Sequence, residues 1–336
     1  MTSESTLLER IRRAVLSAGE AGTGNVRLGI GDDAAILRPR RGRELVVSSD
    51  FLIEGVHFLP RYPPKAVGYK TLARSVSDLA AMGAEPLGFL LNLALPPKRI
   101  GAWLDGFLKG IDGAARKLRI VLIGGDLTSA QNTAVCIVVI GDGKPDLLIR
   151  RCGARPGDLI YVSGKLGAAR LGLEVIRKRL DRRRDASQLV APHYYPQPRL
   201  KLGAWLAERQ LVTAMMDISD GLSMDLARLC EASQVGAVVN AERLPIVGIP
   251  EQWRRRLNLV ASEAQYYALN GGDDYELLFT IPKRNAGKLR RAPGGIPLTC
   301  IGEITRTREL LLVDSSGRKS ILKRGGWDHF GGAVNS

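Results

Sequence analysis

At 336 residues the chain exceeds what one hydrophobic core usually sustains, so two domains of ordinary size are expected. Hydrophobic residues make up 45% and glycines number 38, ample core material for an α/β enzyme with many tight loops. The net charge of +15 comes from runs such as Arg177-Lys178-Arg179, Arg182-Arg183-Arg184, Arg254-Arg255-Arg256 and Arg290-Arg291, which lack interleaved aromatics and read as solvated faces rather than a nucleic-acid surface.

In chain order, Met1 to Ala18 reads as an amphipathic helix carrying Glu4, Glu9, Arg10, Arg12 and Arg13. It has no uninterrupted apolar segment, so neither a signal peptide nor a membrane span is expected, and a cytoplasmic location is. Ala34 to Leu37 and Glu44 to Ser48 look like a strand pair across the basic turn Arg38 to Arg43. A helix starts at Pro63-Pro64, buries Val67, Leu72, Val76 and Leu79, and stops near Gly83. Strand Gly88 to Leu95, helix Pro97 to Leu118, and strands Ile120 to Ile123 and Ala134 to Ile140 follow.

The charged turn Arg150 to Gly157 marks a junction between an N-terminal domain, 1–150, and a C-terminal domain, 151–336. Beyond it come strand Asp158 to Val162, helix Leu166 to Leu180, a loop around Pro192 to Pro198, a helix to Arg209, and helix Leu222 to Ser233. Strands at Ala237 to Val239, Glu276 to Ile281, Leu298 to Ile301 and Leu310 to Val313 complete an α+β fold of two domains with mixed sheets. Cys136, Cys152, Cys230 and Cys300 show no zinc or redox spacing and read as small, mostly buried hydrophobes in a reducing compartment.

Five short runs end in a carboxylate: Ile30-Gly31-Asp32-Asp33, Val47-Ser48-Ser49-Asp50, Ile123-Gly124-Gly125-Asp126, Asp217-Ile218-Ser219-Asp220 and Asn270-Gly271-Gly272-Asp273-Asp274. One such run is most often a turn. Five in a basic chain point to hard cations and phosphate, because glycine and serine let a ligand approach the backbone while the aspartate offers oxygen.

Other phosphate devices fail. Gly157 to Leu166 has six residues between its first glycine and Gly164-Lys165, and Leu166 stands where a P-loop needs Ser or Thr. Asp50-Phe51-Leu52 lacks the glycine of a protein-kinase DFG, and no H-R-D loop exists. Gly29-Ile30-Gly31-Asp32-Asp33-Ala34 opens a strand and puts two carboxylates where a pyrophosphate would sit, against a Rossmann fingerprint. What remains is phosphate held through Mg²⁺. Asp78, in a largely apolar helix, either joins that metal surface or pairs with Arg74 at i−4.

Gly29 to Ala35, Ser48 to Asp50 with Gly55-Val56-His57-Phe58, Ser77 to Gly83, Gly124 to Thr128, Asp217 to Leu222, Gly271 to Leu277 and Gly326-Trp327-Asp328-His329-Phe330 together resemble, in order and over nearly the whole chain, the thiamine-monophosphate kinases. Their wider superfamily includes aminoimidazole ribonucleotide synthetase, selenophosphate synthetase and a hydrogenase maturation factor. The resemblance implies an N-terminal sheet that pairs across a homodimer into a barrel-like core, and a C-terminal domain that closes over the nucleotide. It implies ATP and thiamine monophosphate as substrates and several Mg²⁺ ions. Asp33, Ser48, Ser49, Asp50, Asp78, Asp126, Asp217 and Asp220 would form the metal shell, and Gly125, Asp126, Arg151 and Ser219 would contact ATP. His57, Asp273 and Trp327 would face the thiamine phosphate, while Asp220 and Arg151 would act at the transferring group.

Asp273 stands where the family often has glutamate, so its contact is expected to be longer or water-bridged. Trp327 offers an indole face to the thiazolium or is a C-terminal plug, and His57 reads equally as a hydrogen-bonded loop residue. A different phosphate acceptor is the alternative within the superfamily. The first cysteine, Cys136, is too late for a selenophosphate synthetase, and the ending Val334-Asn335-Ser336 lacks the maturation factor's terminal cysteine. A non-catalytic nucleic-acid binder would leave the acidic runs unexplained.

Overall fold

A computed structural model describes residues 4–16 and 25–330. The chain divides into two compact units, one extending to Leu79 and resuming over Ala84–Asp146, the other taking Ala80–Gly83 and everything from Leu147.

The first unit contains α1 (Glu4–Leu16), β1 (Val26–Leu28), β2 (Ile36–Leu37), β3 (Glu44–Ile53), most of α2 (Pro64–Ala81), β4 (Glu85–Leu95), α3 (Ala102–Leu118), β5 (Val121–Ser129) and β6 (Ala134–Gly143). The rest of the expected Met1 to Ala18 helix lies outside the described residues. The main sheet runs β3-β6-β4-β5, with only the β4–β5 pair parallel.

The expected pairing of 34–37 with 44–48 does not form. β2 pairs with β1, and β3 pairs along its whole length with β6, Ser48 opposite Val139 and Asp50 opposite Ile137. A ten-residue ladder on the β-branched run of β6 satisfies more backbone than the shorter hairpin of 34–37 with 44–48 could. The intervening basic turn is tied elsewhere. Arg40 and Arg43 reach Glu85 and the fully buried Asp142. Burial pushes both carboxyls up, and hydrogen bonds from the two arginines outweigh it, leaving both below the ordinary range.

Val67, Leu72, Val76 and Leu79 of α2 are buried as the spacing requires. Glycine lets α2 and α3 touch backbone to backbone: a Cβ on Gly68 would stand 2.1 Å from the Phe107 carbonyl oxygen, and one on Gly110 would stand 2.1 Å from that of Lys65. The expected Pro97 to Leu118 helix is split into a 3₁₀ turn at Pro97–Arg99 and α3, with Gly101 in extended backbone between them. One face of the sheet buries Phe89, Leu91, Leu93, Val135, Ile137 and Val139. On the other face β3 leaves Leu45, Val47 and Phe51 48%, 60% and 57% exposed.

The second unit contains β7 (Leu159–Ser163), α4 (Ala168–Arg177), α5 (Ser187–Tyr194), α6 (Leu200–Glu208), β8 (Ala214–Asp217), α7 (Leu222–Ser233), β9 (Gly236–Asn240), α8 (Glu251–Leu257), α9 (Glu263–Asn270), β10 (Leu277–Ile281), β11 (Leu298–Thr305), β12 (Leu310–Val313) and β13 (Lys319–Ile321). Its sheet runs β13-β12-β9-β11-β7-β10-β8, antiparallel except for β12 beside β9.

This sheet is covered on both faces. Leu278 joins Ile160, Val162, Met216 and Ile301 in one core, while Leu277, Phe279 and Ile281 join Met215, Leu202 and Leu206 in another. That is why β10 reads as an unbroken apolar run. Pro192, expected in a loop, lies inside α5, where burial of Val190, His193 and Tyr194 overrides the proline signal. Of the cysteines, only Cys230 is buried, its thiol pushed up to about 12 by burial. Cys152 is exposed, because it sits in the polar segment before β7 rather than on an apolar face. The two sheets and their helices make the chain an α+β protein of two units.

Candidate active site

In the first unit the Ser48-Ser49-Asp50 run lies within β3 rather than at its end. Strand alternation sends Ser48 and Asp50 to the helix-covered face, where α2 meets them. The Ser48 hydroxyl donates to Asp78 Oδ2 at 2.5 Å, and Arg74, one turn earlier on α2, reaches Asp50 at 3.4 Å. Asp78 thus contacts the serine, and the arginine at i−4 reaches Asp50. Asp33 is exposed in the turn after β1, its amide bonded to Asp32 Oδ1 at 2.8 Å.

Asp126 lies elsewhere. In β5 it sits opposite Asn92, which sits opposite Cys136, which sits opposite Phe51. Asp126 is thus three strands from β3, about 14 Å by ordinary strand spacing, and on the exposed face with Phe51 and Ser49, away from Asp50 and Asp78. Gly125 beside it has φ +151, and a Cβ there would stand 1.9 Å from the Leu91 carbonyl oxygen, so close strand packing requires this glycine.

His57 lies in the turn after β3, where its Nδ1 accepts from the Ile53 amide at 3.0 Å. Of its neighbours, Val56 is exposed and Phe58 is buried.

In the second unit, Asp217 ends β8 opposite Leu277. The loop that follows is shaped by Asp225, on the first turn of α7. Its Oδ2 accepts from the amides of Ser219, Asp220 and Gly221 at 3.0, 3.0 and 3.1 Å. Burial, then the charge of Asp220, raises the Asp225 carboxyl to about 6 against those amides and Arg228, which bridges Asp225 and Asp220.

The same loop collects the other candidates of this unit. The Asp273 amide donates to the Ser219 carbonyl at 2.8 Å, and the Trp327 amide donates to the Asp220 carbonyl at 3.0 Å. Ser219, Asp220, Asp273 and Trp327 are therefore brought together by backbone bonds. Asp273 and Tyr275 hold left-handed backbone, φ +69 and +51, secured by the Tyr275 amide on the Ile218 carbonyl at 2.8 Å. The neighbouring Asp274 caps α4 through the amides of Gly167 and Ala169 at 2.7 and 3.2 Å. Arg151 is exposed in the segment beside β8, next to Arg150, whose carbonyl accepts from the Met215 amide.

Sequence reasoning missed Asp225, Arg228, Tyr275 and His193. An acid in the first turn after Gly221 was a readable capping signal for Asp225. Nothing local announces the other three.

Family models of the AIR synthase related protein match this chain, the N-terminal domain over residues 31–142 and the C-terminal domain over residues 155–314. A thiamine-monophosphate kinase of Escherichia coli strain K12 is 38% identical over 310 residues, spanning 91% of this chain and 93% of its own. The chain belongs to the thiamine-monophosphate kinase family. The family member from Stenotrophomonas maltophilia K279a has a solved structure that matches with a TM-score of 0.80 at 36% identity over 91% of this chain and 95% of that one. A solved structure of AaThiL complexed with AMPPCP and TMP matches with a TM-score of 0.76 at 29% identity over 97% of each chain. The hydrogenase maturation protein HypE shares the fold at 20% identity and a TM-score of 0.74.

Proposed function

We propose that the chain transfers the γ-phosphoryl group of ATP to thiamine monophosphate, giving ADP and thiamine diphosphate. The observation that carries this reading is the convergence of Ser219, Asp220, Asp273 and Trp327 on one loop, in a chain that matches over 97% of its length a relative complexed with AMPPCP and TMP.

The acceptor is a phosphate monoester, largely anionic at neutral pH because its second pKa is near ~6, so no general base is needed. A phosphate oxygen of thiamine monophosphate attacks the γ-phosphorus in line as the bond to the β,γ-bridging oxygen breaks, and the electron pair leaves on ADP. The difficulty is bringing anions together, which calls for positioning and charge neutralisation. Arg151 would supply fixed positive charge to the phosphates, and Ser219 and Gly125 would hold the nucleotide.

Among the described residues no three His, Cys, Asp or Glu side chains form a ready metal cage. The donors on offer, Asp33, Ser48, Ser49, Asp50, Asp78, Asp126, Asp217 and Asp220, are all hard oxygens, and the Ser48–Asp78 contact already pairs two of them. That set fits Mg²⁺, which takes one or two carboxylates and completes its shell with phosphate oxygens and water. Held by those residues, Mg²⁺ would supply charge neutralisation to the phosphates. His57, held through its Nδ1 by the Ile53 amide, would face the substrate phosphate. The indole face of Trp327, 43% exposed, suits the thiazolium cation.

The working form is a homodimer built on the exposed face of Leu45, Val47 and Phe51. Asp126 and Ser49 share that face, while Asp50 and Asp78 lie behind it. A second copy pairing along the edge strand β3, from which both faces can be reached, would complete the metal group by supplying Asp126 to the Ser49–Asp50 strand of its partner, and the barrel-like core would be formed by the two sheets together. No described helix is long and apolar enough to cross a membrane; a cytoplasmic location is part of the proposal.

Incubation with ATP, Mg²⁺ and thiamine monophosphate, followed by mass analysis, should yield thiamine diphosphate and ADP in equal amounts. ADP formed without thiamine diphosphate would overturn the assignment.

A further inference from the structure

We propose that His193 and Tyr275 are positioning residues that aim the Asp273 carboxylate at the cationic, N–H-bearing ring end of thiamine monophosphate, and so set the affinity for that substrate alone. This rests on reading Asp273 as a substrate contact.

Asp273 sits among acids with different tasks. Asp274 is turned inward onto the amides that open α4, and Glu276 is buried against Arg199 and the Ser163 hydroxyl. Asp273 keeps 30% of its side chain open, and its two oxygens meet different groups from behind. The Tyr275 hydroxyl donates to Oδ1 at 2.8 Å, and Nδ1 of His193 stands 3.8 Å from Oδ2. Tyr275 and His193 are each 2% exposed, so neither offers itself to a ligand.

His193 is fixed by α5, which packs so closely on α4 that a Cβ on Gly172 would stand 2.7 Å from the Leu189 carbonyl oxygen and 3.1 Å from the His193 Cβ. A carboxylate gripped this way turns its negative charge toward an incoming donor or cation, and it repels a phosphate. Trp327 hangs from the same loop through Asp220, as Asp273 does through Ser219. An aromatic face and an anion registered on adjacent residues suit a flat cation.

Steady-state kinetics on Y275F, H193L, H193N and D273N, with melting temperatures alongside, tests the proposal. Y275F removes one hydroxyl and should raise KM for thiamine monophosphate about tenfold while KM for ATP and kcat stay within twofold. H193L should do the same, and H193N, which keeps a polar atom near the Nδ1 position, should recover most of the loss. Competitive inhibition by thiamine, which has the rings without the phosphate, should weaken in proportion.

If D273N raises that KM while Y275F and H193L leave it unchanged, positioning is wrong and the Asp273 contact stands. If D273N itself leaves it unchanged, the substrate reading of Asp273 fails and takes the proposal with it. Parallel loss of both KM values with a lowered melting temperature, unrelieved in H193N, would reduce the pair to packing and overturn the proposal.

Discussion

The two units hold their functional acids in opposite ways. In the second, the sheet is buried on both faces and the site loop is self-supporting: Asp225 takes three successive amides, and Asp273 and Trp327 hang from the carbonyls between them. In the first, the sheet is covered on one face and leaves Leu45, Val47 and Phe51 to solvent, and its acids are divided between the two faces. A unit that supports its own loop can position ligands alone. A unit whose donors point to opposite sides of one sheet would need a second surface to unite them, and the edge strand β3, with the exposed apolar face beside it, is where that surface would attach.

The sharpest way to break the contrast is at the divided acids. D50N and D126N should each lower thiamine diphosphate formation by about 100-fold or more and shift its Mg²⁺ dependence upward, measured by coupled ADP assay across a magnesium titration. Wild-type rates in either variant would remove that acid from the metal group. Next, F51D places a charge on the exposed face and should convert the proposed dimer to monomer in sedimentation, with activity falling in step. A fully active monomer would end the dimer reading.

In the second unit the effects should be on stability. D225A strands three amides and should cost roughly 2–4 kcal/mol in urea unfolding, because their acceptor is buried. The smallest effect concerns Asp274. Burial lifts its carboxyl to about 7, although the Gly167 and Ala169 amides pull it down. Between the ordinary carboxylate range and that value the folded state holds a proton the unfolded chain has lost, so this contribution to stability is present at low pH, fades as pH rises to about 7, and is level beyond. D274N, which keeps an acceptor for the cap but cannot ionise, should flatten the decline in melting temperature from pH 4 to 7.

Part of the second unit's candidate site was readable because Asp217 ends a strand and Ser219 and Asp220 lie in the loop just after it, held by the nearby Asp225, whereas the closing of Asp273 and Trp327 onto that loop is a long-range contact. His193 was not readable, since its helix contains Pro192 and forms through burial rather than local propensity. In the first unit α2 and its buried face were legible from apolar spacing, whereas the partner of β3 was not. Register between Ser48 and Val139 is a long-range choice made by a ten-residue ladder, and a proximal hairpin looked as good locally. The same blindness hid that Asp126 and Asp50 lie on opposite faces, since adjacency of motifs says nothing about which side of a sheet each occupies.

Mixing the two inactive variants tests the composite site most directly. In D50N and D126N chains combined by co-expression or subunit exchange, each mixed dimer carries one intact Asp50–Asp126 pair and one doubly altered pair. With random pairing, half the dimers are mixed, so recovery of about a quarter of wild-type activity is expected. Activity no higher than either variant alone, in a sample shown by mass to contain mixed dimers, would contradict a site shared between two copies.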